Sequence, residues 1–196
     1  MVWCYNMIIL ETNRLILRTW IDSDLESLTA INADPKVCEY LPSIGTRATT
    51  IAMMQRFINH YDEHGFSAYA VELKTTKGMI GFTGLITPSF DADFMPAIEI
   101  GWRLASQYWN KGYATEAALA ALHYGFVELN LNEIVSFTVV KNHASRRVME
   151  KIGMHHNPND DFDHPKLDND SPLKRHVFYR LTKNDYLKNL ESKIQN

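Results

Sequence analysis

Between residues 112 and 129, Ala114, Ala117, Ala118, Ala121, Leu122 and Phe126 recur at helical spacing and make one continuous apolar stripe. A helix faced with alanine can lie close against a sheet, because no bulky side chain holds it away. Strand-like runs flank it, residues 97–104 before and residues 133–140, rich in β-branched side chains, after. Strand, helix and strand in that order imply a sheet with helices packed on it.

The rest of the chain extends that pattern. Strand-like sequence begins at residues 7–10, and residues 14–18 alternate polar and apolar as a half-buried strand does. Asp22 or Ser23 is expected to cap a helix carrying Leu25, Leu28 and Ile31, which residues 32–35 end. Residues 48–63 place Ile51, Met54, Phe57, Ile58 and Tyr61 at helical spacing. Strands are expected over 66–73, 78–86 and 97–104, with a turn at 74–78 and a longer loop at 88–96. A short helix over 142–152 closes at Gly153, a natural C-cap residue. A strand near Met154, an aspartate-rich loop, a strand over 175–181 and a helix over 183–192 complete the chain. The order β-α-α-β-β-β-α-β-α-β-β predicts an α/β (α+β) domain with a mixed sheet flanked by helices.

A chain of 196 residues buries a hydrophobic core without staples. The expected organisation is an N-terminal extension and first-strand start over 1–9, a single domain over 10–182, and a C-terminal helix or tail over 183–196. Met7 is a candidate natural start. A net charge of −3 gives no sign of nucleic acid or an anionic membrane as partner. No run of 18 apolar residues suggests a transmembrane helix, and residues 1–10 lack the basic start of a signal peptide. Cys4 and Cys38 have no metal-like spacing, so no metal is expected, and two lone cysteines suit a reduced cytoplasmic protein.

The chemistry concentrates in residues 99–116, Glu-Ile-Gly-Trp-Arg-Leu-Ala-Ser-Gln-Tyr-Trp-Asn-Lys-Gly-Tyr-Ala-Thr-Glu. A strand ends, a polar turn follows, and the alanine-rich helix opens at Gly112. A helix N-terminus offers unpaired N–H groups and the positive end of the dipole, which together bind a pyrophosphate. Gly112 and Ala114 keep the approach open. The loop has neither the Gly-Lys-Ser/Thr of a Walker loop nor the glycine triplet of a dinucleotide fold.

These residues resemble the acyl-CoA motif of the GNAT acetyltransferases. Trp109 to Ala117 is similar to the Gln/Arg-x-x-Gly-x-Gly/Ala segment, written Trp-Gly-x-Gly-Tyr-Ala in many members of the RimJ/RimL-like branch. Residues 12–18 resemble that branch's opening strand, Glu99 to Trp102 its fourth strand, and Asn142 to Ser145 with Met149 to Met154 its Asn-x-x-Ser…Glu-Lys-x-Gly-Phe segment. The four matches span roughly residues 10–182 in the expected order. Asn110 stands where glycine is common, and Trp109 where the general motif has Gln or Arg.

The resemblance implies a GNAT fold: a mostly antiparallel seven-stranded sheet with four or five helices, splayed between its fourth and fifth strands. It implies direct acetyl transfer from acetyl-CoA to an amine in a ternary complex. The acceptor is a small molecule or a protein N-terminus, and the enzyme a monomer or homodimer. Ile100, Gly101, Trp102 and Leu104 would flank the thioester, with one main-chain N–H as oxyanion donor. Asn110, Lys111, Gly112, Tyr113, Ala114 and Thr115 would hold the pyrophosphate. Asn142 would bind the pantetheine, and Ser145 would sit near the sulfur and protonate the departing thiolate. Glu99 is the leading base for the amine proton. Asn142 and Ser145 also have a plainer explanation as helix caps, and Glu99 as a solvent-facing carboxylate. The aspartate-rich loop contains Phe162-Asp163-His164-Pro165, with His176 following. Asp163 and His164 are candidates to border the amine pocket, Asp163 by attracting a cation and His164 by relaying a proton. A non-catalytic acyl-CoA-binding regulatory module on the same fold is the rival function.

Overall fold

The computed structural model describes residues 6–194. Cys4 and most of the expected N-terminal extension lie outside the described residues. Nine strands and five α-helices are found among them. They fall into two compact units: the chain up to Ile86 with Gly101–Ala121, and Thr87–Ile100 with the chain from Leu122 onward.

The first unit holds an antiparallel meander of β1 (Ile8–Glu11), β2 (Leu15–Arg18), β3 (Ala68–Leu73) and β4 (Gly78–Ile86). The expected strands and their turn are present, the turn carrying Lys77 at φ 56°. Helices α1 (Asp24–Ala33) and α2 (Arg47–His64) connect β2 to β3. A reciprocal box between Thr46 and Thr49 opens α2, and Gly65, left-handed at φ 77°, closes it. The cap expected at Asp22 or Ser23 is not made: Ser23 occupies the N-cap position without a side-chain hydrogen bond. Asp24, the first helical residue, instead accepts from Ile21 N at 3.0 Å and pairs with Arg18 at 2.7 Å. Arg18 therefore departs from the alternating pattern, buried between Asp24 and Glu72.

Strand β5 (Glu99–Leu104) contributes Gly101–Leu104 to this unit, and helix α3 (Tyr113–His123) follows. Leu15, Leu17, Val71, Ile80 and Leu104 form one buried cluster with Ala117 of the alanine stripe. Trp20, Leu28, Met54, Phe57, Ala70 and Phe82 form another. Gly81 lets β4 approach β5, since a Cβ there would lie 2.1 Å from Arg103 O.

In the second unit, β6 (Glu133–Val139) and β9 (Arg175–Thr182) pair antiparallel along their whole length, from Glu133↔Thr182 to Val139↔His176. Two-residue strands β7 (His155–His156) and β8 (Phe162–Asp163) also pair antiparallel with β9. The start of β5 runs parallel to β6 with one registered pair, Glu99↔Val135. The sheet is mixed and mostly antiparallel, as expected. Helices α4 (His143–Lys151) and α5 (Lys183–Ile194) complete the unit. Helix α3 is shorter than its apolar stripe. It passes into a wider turn over Tyr124–Glu128, where Leu129 N donates to Tyr124 O at 3.0 Å, five residues back. Gly125, the poorest helix former of the run, lies in that turn.

Candidate active site

In the first unit, β5 ends at Leu104, a single turn covers Ser106–Tyr108, and α3 begins at Tyr113. Trp109 ties the connection to the strand end: its indole Nε1 donates to Leu104 O at 2.8 Å. Asn110 and Gly112 are both left-handed, at φ 60° and 80°. Asparagine tolerates that conformation better than other side-chain-bearing residues, so Asn110 keeps the backbone path that a glycine would take. The first i to i−4 bond of the helix runs from Glu116 N to Gly112 O at 3.0 Å. By helix geometry the N–H groups of Tyr113, Ala114 and Thr115 have no carbonyl of their own helix to meet. They are donors of the kind that bind an anionic group.

A clamp holds this loop. Arg14 donates from its backbone N at 2.9 Å and its Nε at 2.6 Å to Glu116, and from Nη1 to Lys111 O at 2.9 Å. Its guanidinium also lies over the Tyr113 ring, 4.5 Å from the centroid. Thr12 donates to the same carboxylate at 2.6 Å. Burial alone would raise the Glu116 pKa, but hydrogen bonds from Thr12 and Arg14 and the Arg14 charge outweigh it and hold the carboxyl below its usual range. Lys111 Nζ sits over the Tyr108 ring at 5.5 Å. Thr12, Arg14 and Glu116 carry no sequence signal of this joint role, because about a hundred residues separate the partners.

On β5, Ile100 and Leu104 are buried while Gly101 and Trp102 are half-buried. Gly101 O accepts from Thr83 Oγ1 at 2.8 Å within the first unit. Ile100 O accepts from the buried Ser136 Oγ at 2.8 Å within the second. Glu99 is half-buried at the head of the strand, opposite Val135.

In the second unit, Asn142 is the N-cap of α4. Its Oδ1 accepts from Ser145 N at 3.2 Å, and its Nδ2 donates to Thr138 Oγ1 at 3.0 Å and Ser145 Oγ at 3.1 Å. The cap explains why these two residues sit together. It leaves the Ser145 hydroxyl accepting from Asn142 with its own proton available to give.

Asp163 and His164 differ in surroundings. Asp163 is exposed and pairs with Arg175 at 3.3 Å, an arrangement that weakens its pull on another cation. His164 lies among aromatic rings, 4.6 Å from Phe90 and 5.1 Å from His176 between centroids. Burial, then the neighbouring His176, Lys166 and Lys174, lowers its pKa to about 4. The imidazole is therefore neutral at physiological pH, and its titration falls well below neutrality. His176 is also lowered, chiefly by burial.

Among the described residues, no group of three or more His, Cys, Asp or Glu is placed to hold a metal ion. No described helix is long and apolar enough to cross a membrane.

The acetyltransferase (GNAT) domain family matches residues 14–155. The uncharacterized N-acetyltransferase YoaA of Bacillus subtilis is 33% identical over 147 residues, covering 74% of this chain and 81% of that protein. A GNAT-family acetyltransferase from Bacillus anthracis superposes with a TM-score of 0.73 at 28% identity, over 91% of this chain and 99% of that one. A spermidine N-acetyltransferase from Vibrio cholerae, solved with CoA and spermine, shares the fold at a TM-score of 0.69 and 19% identity, over 90% of this chain and 99% of that one. The family model and a relative 33% identical each cover most of the chain, and the protein belongs to the GNAT acetyltransferase family.

Proposed function

We propose that this acetyltransferase transfers acetyl from acetyl-CoA directly to an amine in a ternary complex, and that it is a RimJ/RimL-like member acting in the cytoplasm as a monomer or homodimer. The observation that carries the reading is the loop over residues 109–115. Two left-handed residues and the free N–H groups at the head of α3 make a cradle that fits a pyrophosphate. The family uses acetyl-CoA, whose pyrophosphate is the group such a cradle takes.

In this reading, Asn110, Lys111, Gly112, Tyr113, Ala114 and Thr115 hold the pyrophosphate. Ile100, Gly101, Trp102 and Leu104 flank the thioester, and a main-chain N–H among them steadies the charge on the carbonyl oxygen. Asn142 reaches the pantetheine with the carboxamide that caps α4. The amine nitrogen bonds to the acetyl carbon, the carbon–sulfur bond breaks, and Ser145 gives a proton to the departing thiolate. The proton lost by the amine goes to Glu99 or His164. A histidine with a pKa of about 4 is a weak proton acceptor, which favours Glu99.

The test is release of CoA thiol from acetyl-CoA by the full chain, across a panel of small amines and N-terminal peptides. Release that depends on an amine is the expected result. Tight acetyl-CoA binding with no release across the whole panel would leave the non-catalytic regulatory module.

A further inference from the structure

Two arginines of the first unit differ in their surroundings: Arg18 is buried and Arg103 is half-buried. Arg18 is paired with Asp24 at 2.7 Å and Glu72 at 2.9 Å. Arg103, on β5, has no carboxylate partner among the described residues; its guanidinium makes one short hydrogen bond, from Nη1 to Asn32 Oδ1 at 2.7 Å. Its face lies over the Phe82 ring at 5.4 Å and its Nη1 is 3.9 Å from Met53 Sδ. Burial lowers the pKa of Arg103, whereas two carboxylates raise that of Arg18 against its burial. A guanidinium stays charged in either setting, so the half-buried Arg103 keeps its positive charge with no counter-ion among the described residues.

Arg103 lines a cavity of about 170 Å³ within the first unit, together with Leu41, Pro42, Met53, Ser43 and Thr49. A space of about 150 Å³ takes a benzene-sized guest, so this one suits a small molecule and no folded partner. The arginine is held in position. Asn32 is buried, and its Nδ2 donates to Thr50 Oγ1 at 3.0 Å. Thr50 spends its own proton on Thr46 O at 2.9 Å. That fixes the amide so that its oxygen faces Arg103 and anchors Nη1. Among the described residues, Nε and Nη2 find no hydrogen-bond acceptor. They form one edge of the guanidinium fork, the edge that accepts a planar carboxylate through two parallel bonds.

We infer that this cavity binds the acceptor, and that the acceptor is a small-molecule amine that also carries a carboxylate, of the amino-acid class, held by Arg103. The inference rests on the acetyl-transfer reading and narrows its acceptor to one class. Arg103 stands between Trp102 and Leu104 on β5, about 3.3 Å of strand rise from each, so the backbone that carries the carboxylate anchor adjoins the backbone assigned to the thioester. The amine attacks the acetyl carbon, the carbon–sulfur bond breaks, and the products are an N-acetylated acid and CoA thiol. A peptide N-terminus carries no carboxylate beside its amine and is the poorer acceptor.

The full chain is assayed for CoA release with the common amino acids, their carboxamides, phosphoethanolamine and short peptides. At least one amino acid is expected to exceed its own carboxamide by tenfold or more in kcat/KM. In Arg103→Gln that preference falls to within about twofold, while Arg103→Lys, which keeps the charge and loses the fork, falls between. Ser43→Phe, which puts a bulky ring on the cavity wall and leaves Arg103 in the sequence, raises the KM for the amino acid and guards against misfolding of the arginine variants. Carboxamides that perform as well as acids, a preference that survives Arg103→Gln, or phosphoethanolamine or a peptide that outruns every amino acid would each overturn the inference. A calorimetric titration of amino acids and their N-acetyl derivatives, without acetyl-CoA, separates the two claims. If no acceptor releases CoA, the transfer reading fails, and the carboxylate site is then decided by binding alone. Heat that appears with wild type and vanishes in both Arg103→Gln and Ser43→Phe supports the site, and no heat with wild type refutes it.

Discussion

Single backbone positions set the shape of the proposed phosphate cradle. Gly112 stands at φ 80°, and a Cβ there would come 3.3 Å from the Arg14 guanidinium. A β-branched residue at that position adds strain of about 1–3 kcal/mol and crowds the approach. Gly112→Val is expected to weaken acetyl-CoA binding tenfold or more in a folded protein, measured by calorimetry. Asn110→Gly, which restores the commoner residue at φ 60°, should leave that affinity within about threefold, whereas Asn110→Val should lower it. Unchanged affinity in a folded Gly112→Val protein would remove the loop from the site. Asn142 and Ser145 give a second contrast at this scale. As a cap, Asn142 contributes about 1 kcal/mol of stability, so Asn142→Ala should lose roughly that in urea unfolding. If Asn142 also serves the pantetheine, the KM for acetyl-CoA rises in the same variant. Ser145→Ala should lower kcat with little effect on that KM, because its proton is needed only as the thiolate leaves. Loss of stability alone in both variants would reduce them to caps.

Elements depend on close approaches that a side chain would block. Strand β4 packs on β5 at Gly81, where a Cβ would meet Arg103 O at 2.1 Å and Leu104 Cα at 2.7 Å. Both obstacles are backbone, and φ is 150°, so nothing can move aside cheaply. Gly81→Ala is expected to cost about 4 kcal/mol or more, at the severe end of single substitutions. Gly78→Ala, where the nearest atom is Thr76 Oγ1 at 3.3 Å and φ is ordinary, should cost about 1 kcal/mol or less. Denaturant midpoints of the two variants compare them directly, and equal costs would contradict the close approach. The strand that suffers in Gly81→Ala is the one that carries Arg103 and the residues assigned to the thioester.

For the whole molecule, the clearest consequence of the packing is a dependence of stability on pH. His164 in the folded chain has a pKa of about 4, against about 6.5 when unfolded. Between those values the unfolded chain binds the proton and the folded chain does not. Stability contributed by the neutral imidazole is therefore complete above about pH 6.5, falls as pH drops toward 4, and levels off below it. His176, also lowered, acts in the same direction. Urea midpoints measured from pH 7.5 to 4.5 should decline in wild type and decline less steeply in His164→Gln. Identical slopes would show that folding does not lower the His164 pKa. The same variant bears on catalysis: if His164 takes the amine proton, its turnover drops, and if Glu99 does, it does not.

Much of this was written in local sequence. The strand at residues 78–86, the helix near 48–63 and the pairing of strands into a mixed sheet follow from periodicity and turn residues, which act over a few positions. The loop proposed to hold the phosphate was visible for the same reason, since the strand end, the polar turn, Gly112 and the alanine-rich helix follow one another in the chain. What sequence alone did not disclose depends on partners far along the chain. Arg18 has the spacing of a solvent-facing strand residue and is buried because Asp24 and Glu72 meet it there. Thr12 and Arg14 became a clamp only when Glu116, a hundred residues on, arrived beside them. Asp163 read as one acid of an aspartate-rich loop, available to attract a cation, until the fold brought Arg175 opposite it. Arg103 read as one more strand residue until folding surrounded it with Asn32, Met53 and Phe82 and, among the described residues, supplied no carboxylate. Backbone conformation is decided by neighbours in sequence, whereas the charge state and partners of a side chain are decided by neighbours in space, and those exist only in the folded chain.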